Sequence, residues 1–184
     1  MGSWRPEIGD PTFMGWFTTG SYFFCAITAF FVAFLARKED RRVFFLWGAI
    51  AVLMTFLGIN KQLDLQSLLT EMGRQVARAQ GWMDHRRIVQ FWFIVIFGTS
   101  ALAMFIWFAM TMRDVFRRFR LAFLGLFFLL GFIIIRAASF HHFDEVLHWN
   151  ISGARMNWVL ELSGIFLIVF AGLKEMILPI FKHD

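Results

Sequence analysis

Residues 12–36 read TFMGWFTTGSYFFCAITAFFVAFLA and run without a charge into Arg37-Lys38-Glu39-Asp40-Arg41-Arg42. At about 1.5 Å of rise per residue, a helix of this length exceeds the roughly 30 Å hydrocarbon core of a bilayer. Helix is the conformation required there, because hydrocarbon offers no partner to a backbone N–H or C=O. A basic cluster closing the stretch marks where such a helix leaves the membrane.

Four more apolar blocks follow, over 43–59, 88–112, 121–140 and 158–181. The apolar part of the fourth ends at Ile135, beside Arg136. The second and fourth reach across a bilayer if they extend a turn or two into their polar flanks. The chain of 184 residues is 59% hydrophobic and 17% charged. A soluble domain is nearer half apolar and a quarter charged, and here the excess comes in blocks. The expected fold is all-α: one transmembrane domain over 1–184, an integral membrane bundle of about five helices.

A net charge of +5 would suggest nucleic acid in a soluble protein. Here the basic residues sit in short loops, which makes them topology signals and argues against nucleic acid. Arg37, Lys38, Arg41 and Arg42 follow the first block, and Arg113, Arg117, Arg118 and Arg120 the third. Both loops are expected in the cytoplasm of a bacterium, placing the chain in the inner membrane with its N-terminus outside and its C-terminus inside. The second connection runs against this, carrying Lys61, Arg74, Arg78, Arg86 and Arg87 over a longer stretch. No cleavable signal peptide is expected, since the first block is too long for an h-region. A single cysteine, Cys25, forms no intramolecular disulfide.

The second connection has a helical pattern. Leu65, Leu68, Leu69, Met72, Val76 and Ala79 share one face, and Asn60, Asp64, Ser67, Glu71, Arg74 and Arg78 another. An amphipathic helix over about 60–80, lying at the membrane surface and stopped by Gly81, is expected. Of 26 Phe and 8 Trp, most suit packing and lipid contact, with Trp4, Trp16, Trp82, Trp149 and Trp158 near the expected interfaces.

Three polar groups are candidates for function. In Arg136-Ala-Ala-Ser139-Phe-His141-His142-Phe-Asp144-Glu145-Val-Leu-His148, a continuing helix would place His141, Asp144 or Glu145, and His148 on one face. Imidazoles and carboxylates at that spacing suit a divalent metal, and a single His among His141, His142 and His148 can ligate a haem or a chlorin. The plain alternative is a polar helix end with His141–Glu145 and Asp144–His148 pairs. The second group is Asn60-Lys61-Gln62-Leu-Asp64, in which Lys61 either pairs with Asp64 or snorkels to the surface. The third is Glu161, one turn into the last block, where an acid needs a partner such as Arg136, Arg155 or a His. Lys174 and Glu175 read as snorkelling charges at the other end. The expected topology brings Asn60–Gln66, Arg136–His148 and Glu161 to one extracytoplasmic face.

The stretches GINKQLDLQ (58–66) and RAASFHH (136–142) together resemble a family of uncharacterised bacterial multi-pass inner-membrane proteins of this size. That resemblance implies the fold and membrane but no activity. A weaker one is to the alkaline ceramidase and progestin-receptor-like superfamily of intramembrane zinc hydrolases, which combine Ser, Asp and three His. It implies a metal role for Ser139, His141, His142, Asp144 and His148, although that superfamily spreads these residues over seven helices.

Three functions stay open on these residues. The first is a subunit or accessory protein of a larger membrane complex, of respiratory or photosynthetic type, binding lipid, other subunits or a cofactor through its polar end. The second is a metal-dependent intramembrane hydrolase using the His/Asp cluster. The third is a small proton-linked transporter using Asp64, Glu161 and Arg136, although no inverted repeat supports it.

Overall fold

The computed structural model describes residues 9–63, 71–73, 75–76, 79, 81, 86–111, 113–138, 150–151 and 154–177. Its elements are α1 (Phe13–Ala36), α2 (Arg41–Leu63), α3 (Arg86–Thr111), α4 (Arg113–Arg118), α5 (Arg120–Ala138), β1 (Asn150–Ile151), β2 (Ala154–Arg155) and α6 (Met156–Ile177). The architecture is all-α apart from the two-residue antiparallel pairing of β1 with β2. The expected blocks become helices with ends shifted by a few residues, and α2 extends through Lys61 to Leu63. The described part of the second connection is helical at 71–73, 75–76 and 79, and Gly81 follows it in a left-handed turn with φ +74°. Positive φ costs a glycine little, and this ends the helix where the sequence places its stop.

Among the described residues, two helices, α1 and α2, are long and apolar enough to cross a membrane. The apolar stretches Val95–Phe108 in α3 and Arg120–Ile134 in α5 are shorter.

Both of these helices are capped by their own sequence. Thr12 accepts from the Gly15 N–H at 3.1 Å, and Asp40 accepts from the N–H groups of Arg42 at 2.9 Å and Val43 at 3.3 Å. Each cap satisfies donors that the first turn leaves without an intrahelical partner.

Small residues line the inside and large ones the outside. α1 buries Thr18, Cys25, Ala26, Ala29, Val32 and Ala33, and turns Phe24, Ile27, Phe30, Phe31 and Phe34 outward. A helix facing water would show polar residues there. Close helix contact through small residues, with bulky apolar groups outside, is the packing helices adopt in lipid.

α1 packs along α2 and α6, and α5 packs along α6. Glycines set the closest approach: a Cβ built on Gly125 of α5 would lie 2.6 Å from the Gly164 carbonyl oxygen of α6. Trp47, fully buried, meets Phe119 edge-to-face with ring centroids 5.5 Å apart, and Gly172 leaves room for its ring. α3 stands to the side and packs lightly on α5, through Gly98 near Ile134 and Phe105 near Phe123.

Each end of the bundle carries its own charge layer. At one end Arg118, from α4, pairs with Glu175 near the end of α6. Glu175, read from sequence as a snorkelling charge, thus has a defined partner. The ends of α2 and α5 and the starts of α1 and α6 meet at the opposite end, where the candidate site lies.

Candidate functional site

Glu161 sits one turn into α6 and is 1% exposed. Both of its carboxylate oxygens are engaged. The Tyr22 hydroxyl of α1 donates to Oε1 at 3.0 Å, and the Lys61 ammonium of α2 donates to Oε2 at 2.9 Å. Lys61 is itself 8% exposed. An acid and a base buried this deeply persist only when paired and hydrogen-bonded. One carboxylate therefore ties three helices together.

A second layer of bonds closes over this clamp. The Gln62 amide Nε2 donates to the Thr19 hydroxyl at 3.1 Å and to the Asp10 carbonyl at 3.5 Å, and the Gly9 N–H donates to the Gln62 carbonyl at 2.7 Å. These bonds dock the segment before α1 onto the end of α2. Asp10 is held in turn by Thr12, whose hydroxyl donates to its Oδ1 at 2.6 Å. Gly15 lets Asp10 fold back over the first turn, since a Cβ there would collide with the Asp10 backbone and carboxylate.

Next to the clamp lies a polar recess of about 120 Å³ lined by Gly9, Asp10, Lys61 and Arg136. It is several times the roughly 10–15 Å³ that one water needs and below the several hundred Å³ of a typical ligand pocket. Two cations and one carboxylate face this space. Lys61 is already committed to Glu161, and Arg136 has interactions of its own.

Several sequence expectations are sharpened. Lys61, Arg136 and Glu161 do come to one end of the bundle, as the topology requires. Lys61 does not snorkel: it is buried, and its partner is Glu161 in a different helix. Glu161 takes Lys61 and Tyr22, two partners that the sequence reading did not name for it. The reason is register, because extending α2 past Ile59 swings Lys61 inward onto α6. Asn60 is half-buried on the same turn. Asp64, Ser139, His141, His142, Asp144, Glu145 and His148 lie outside the described residues. Among the described residues no group of three or more His, Cys, Asp or Glu is placed to hold a metal ion.

Sequence reading missed Tyr22, Thr19 and Asp10. Tyr22 carried a signal, being the only tyrosine beside 26 phenylalanines. A hydroxyl kept at one position of a phenylalanine-rich helix calls for a polar partner when buried. Asp10 gave none, since an acid before a helix reads as a cap.

Among the described residues, fold and site define an all-α protein with two helices long and apolar enough to cross a membrane and an ionic clamp at one end. Comparison with protein-family models, curated proteins and solved structures finds no match.

Proposed function

We propose that the chain is a multi-pass protein of a bacterial cytoplasmic membrane, crossing it about five times, and that it serves as a subunit or accessory factor of a larger membrane assembly. The observation that carries this reading is α3. Among the described residues it packs lightly, mainly on α5, and Phe91, Trp92, Ile96, Phe97, Leu102, Met104, Trp107 and Met110 are all exposed. These positions surround most of the helix rather than one stripe. Apolar surface on that scale fits lipid together with a protein partner. The clamp supports a binding role over catalysis, because both oxygens of Glu161 are already occupied. The polar end faces the outside in the orientation set by the basic loops.

A photo-crosslinking residue at Trp107, with extraction of native membranes in mild detergent, tests this. A crosslinked partner and an assembly larger than the 21.6 kDa chain are expected. A chain that stays in the membrane as a single copy with no crosslink would refute the subunit role. A chain released by alkaline carbonate would refute the membrane reading itself.

One observation favours a second reading, a proton-linked role: the buried acid–base pair borders a polar recess. Intramembrane ionisable pairs beside polar cavities mark proton paths in many transporters. Glu161→Gln would then abolish proton uptake while leaving assembly size unchanged.

A further inference from the structure

We infer that the other end of the bundle, where α4 lies beside the turn between α1 and α2, is a binding surface for anionic phospholipid head groups. The inference rests on the membrane reading above and adds the chemical class of lipid and the residues that hold it.

Charge comes first. The turn after α1 supplies four cations to this end, α4 with Arg120 supplies four more, and α6 adds Lys174. Four carboxylates stand among them: Glu39, Asp40, Asp114 and Glu175. Among the described residues this end closes one ion pair, Arg118 with Glu175. Asp40 is spent on the cap of α2. Five positive charges are left in excess.

Packing makes one surface of two loops that lie far apart in the sequence. Trp47 follows Arg41 and Arg42 within two turns of α2, and Phe119 stands between Arg118 and Arg120. Their rings meet with centroids 5.5 Å apart, which seats the junction of α4 and α5 beside the start of α2. α4 is fixed there by its apolar side. Val115 and Phe119 are buried, and the Phe116 ring meets Phe123 at 4.9 Å. Arg113 and Arg117, one turn apart on α4, are exposed, and neither has a partner among the described residues.

Arg37 decides for a lipid over an acidic protein. Its guanidinium lies 3.8 Å over the ring of Phe34, one of the residues that α1 turns outward. The charge therefore sits on the flank of the bundle, where the apolar belt stops, and not on the flat end that a protein arriving from water would meet. Exposed Phe44 and Phe45 follow Arg41 and Arg42 in the same way on α2. In a membrane-spanning bundle, phosphate groups border the flank at that level. With the orientation set by the basic loops, they belong to the cytoplasmic leaflet, whose surface potential is negative. A head group with a phosphate and no amine gains from every cation here. An ethanolamine or choline head group brings a positive charge that the same cations repel.

Full-length protein in neutral detergent is mixed with phosphatidylglycerol, phosphatidylethanolamine and phosphatidylcholine of identical chains, and the lipid that co-elutes on gel filtration is quantified. One cation beside an anionic surface corresponds to roughly fivefold in binding. Phosphatidylglycerol should be retained at least about tenfold over each of the others at low salt, and the preference should collapse near 1 M salt, where screening reaches about 3 Å. Arg113→Gln with Arg117→Gln should lower retention of phosphatidylglycerol by roughly fivefold to twenty-fivefold, one factor per cation. Arg113→Lys with Arg117→Lys keeps the charges and should keep the preference. Equal retention of the three lipids by parent protein that resists alkaline carbonate extraction would overturn the surface and leave the membrane reading intact. A preference unchanged in the glutamine pair, or lost equally in the lysine pair, would overturn the assignment to α4. Displacement of the lipid by a soluble oligoglutamate peptide at equal charge would overturn the lipid in favour of an acidic protein segment.

Discussion

Removing Lys61 should cost more than removing the charge of Glu161, although the two form one ion pair. In Lys61→Met the carboxylate loses its ammonium and keeps the Tyr22 hydroxyl, at a position 1% exposed. Breaking a buried pair from one side costs about 3–5 kcal/mol, because the remaining charge is stranded. In Glu161→Gln the stranded group is Lys61, which borders the polar recess and can be solvated there. The amide oxygen can still accept from Tyr22, so the cost falls to about 1–3 kcal/mol. The double variant leaves no buried charge and should be more stable than the sum of the singles by several kcal/mol. Cys25 provides the assay without engineering. It is the single cysteine of the chain, fully buried, and one turn along α1 from Tyr22. A thiol reagent reaches it when α1 separates from its neighbours, so labelling reports that opening. At about 1.4 kcal/mol per power of ten, Lys61→Met should speed labelling by roughly two to three and a half powers of ten. Glu161→Gln should speed it by about one to two. Labelling of Lys61→Met within threefold of the parent, or singles that simply add in the double variant, would refute the clamp.

Two further variants probe how the helices meet. Gly125→Val places atoms 2.6 Å from the Gly164 carbonyl and 2.7 Å from Ile168 Cγ1, so α5 and α6 must part, at about 1–3 kcal/mol in thermal unfolding. Gly131→Ala on the same helix meets nothing within 4 Å and should unfold like the parent, and equal losses in both would argue against the glycine crossing. Asp40→Ala removes the acceptor for the Arg42 and Val43 N–H groups and should cost about 1 kcal/mol in the same measurement, with Asp40→Asn restoring it.

Helix positions were legible because uncharged blocks admit one conformation in hydrocarbon, and charged clusters mark their ends. The convergence of Lys61, Arg136 and Glu161 was legible too, since helices joined by short loops alternate direction. Their pairing was not. Asp64 is three residues from Lys61 and looks like its partner on a helical surface. Glu161 lies a hundred residues away and reaches Lys61 because α1 packs on both α2 and α6. Of the five expected spans, two have the full length and composition among the described residues. α1 and α2 meet length and composition together, whereas α6 carries Glu161 near its start and Lys174 and Glu175 near its end. The Gly125–Gly164 contact was hidden because isolated glycines in apolar blocks look alike until the neighbouring helix is in place.

The clamp and the recess share Lys61, and this fixes how they act on each other. A ligand that drew the ammonium away from Glu161 would strand a carboxylate at a site with 1% exposure, at a cost of about 3–5 kcal/mol. A few hydrogen bonds in a partly open recess do not supply that much. Anything that reaches Lys61 without unfolding this end therefore leaves the pair intact, and what binds the closed bundle alone stabilises it. Asp10 belongs to the same unit, because the Gly9 and Gln62 bonds fasten its segment to the turn that carries Lys61. The start of α1, the end of α2 and the start of α6 thus close together around one ammonium group.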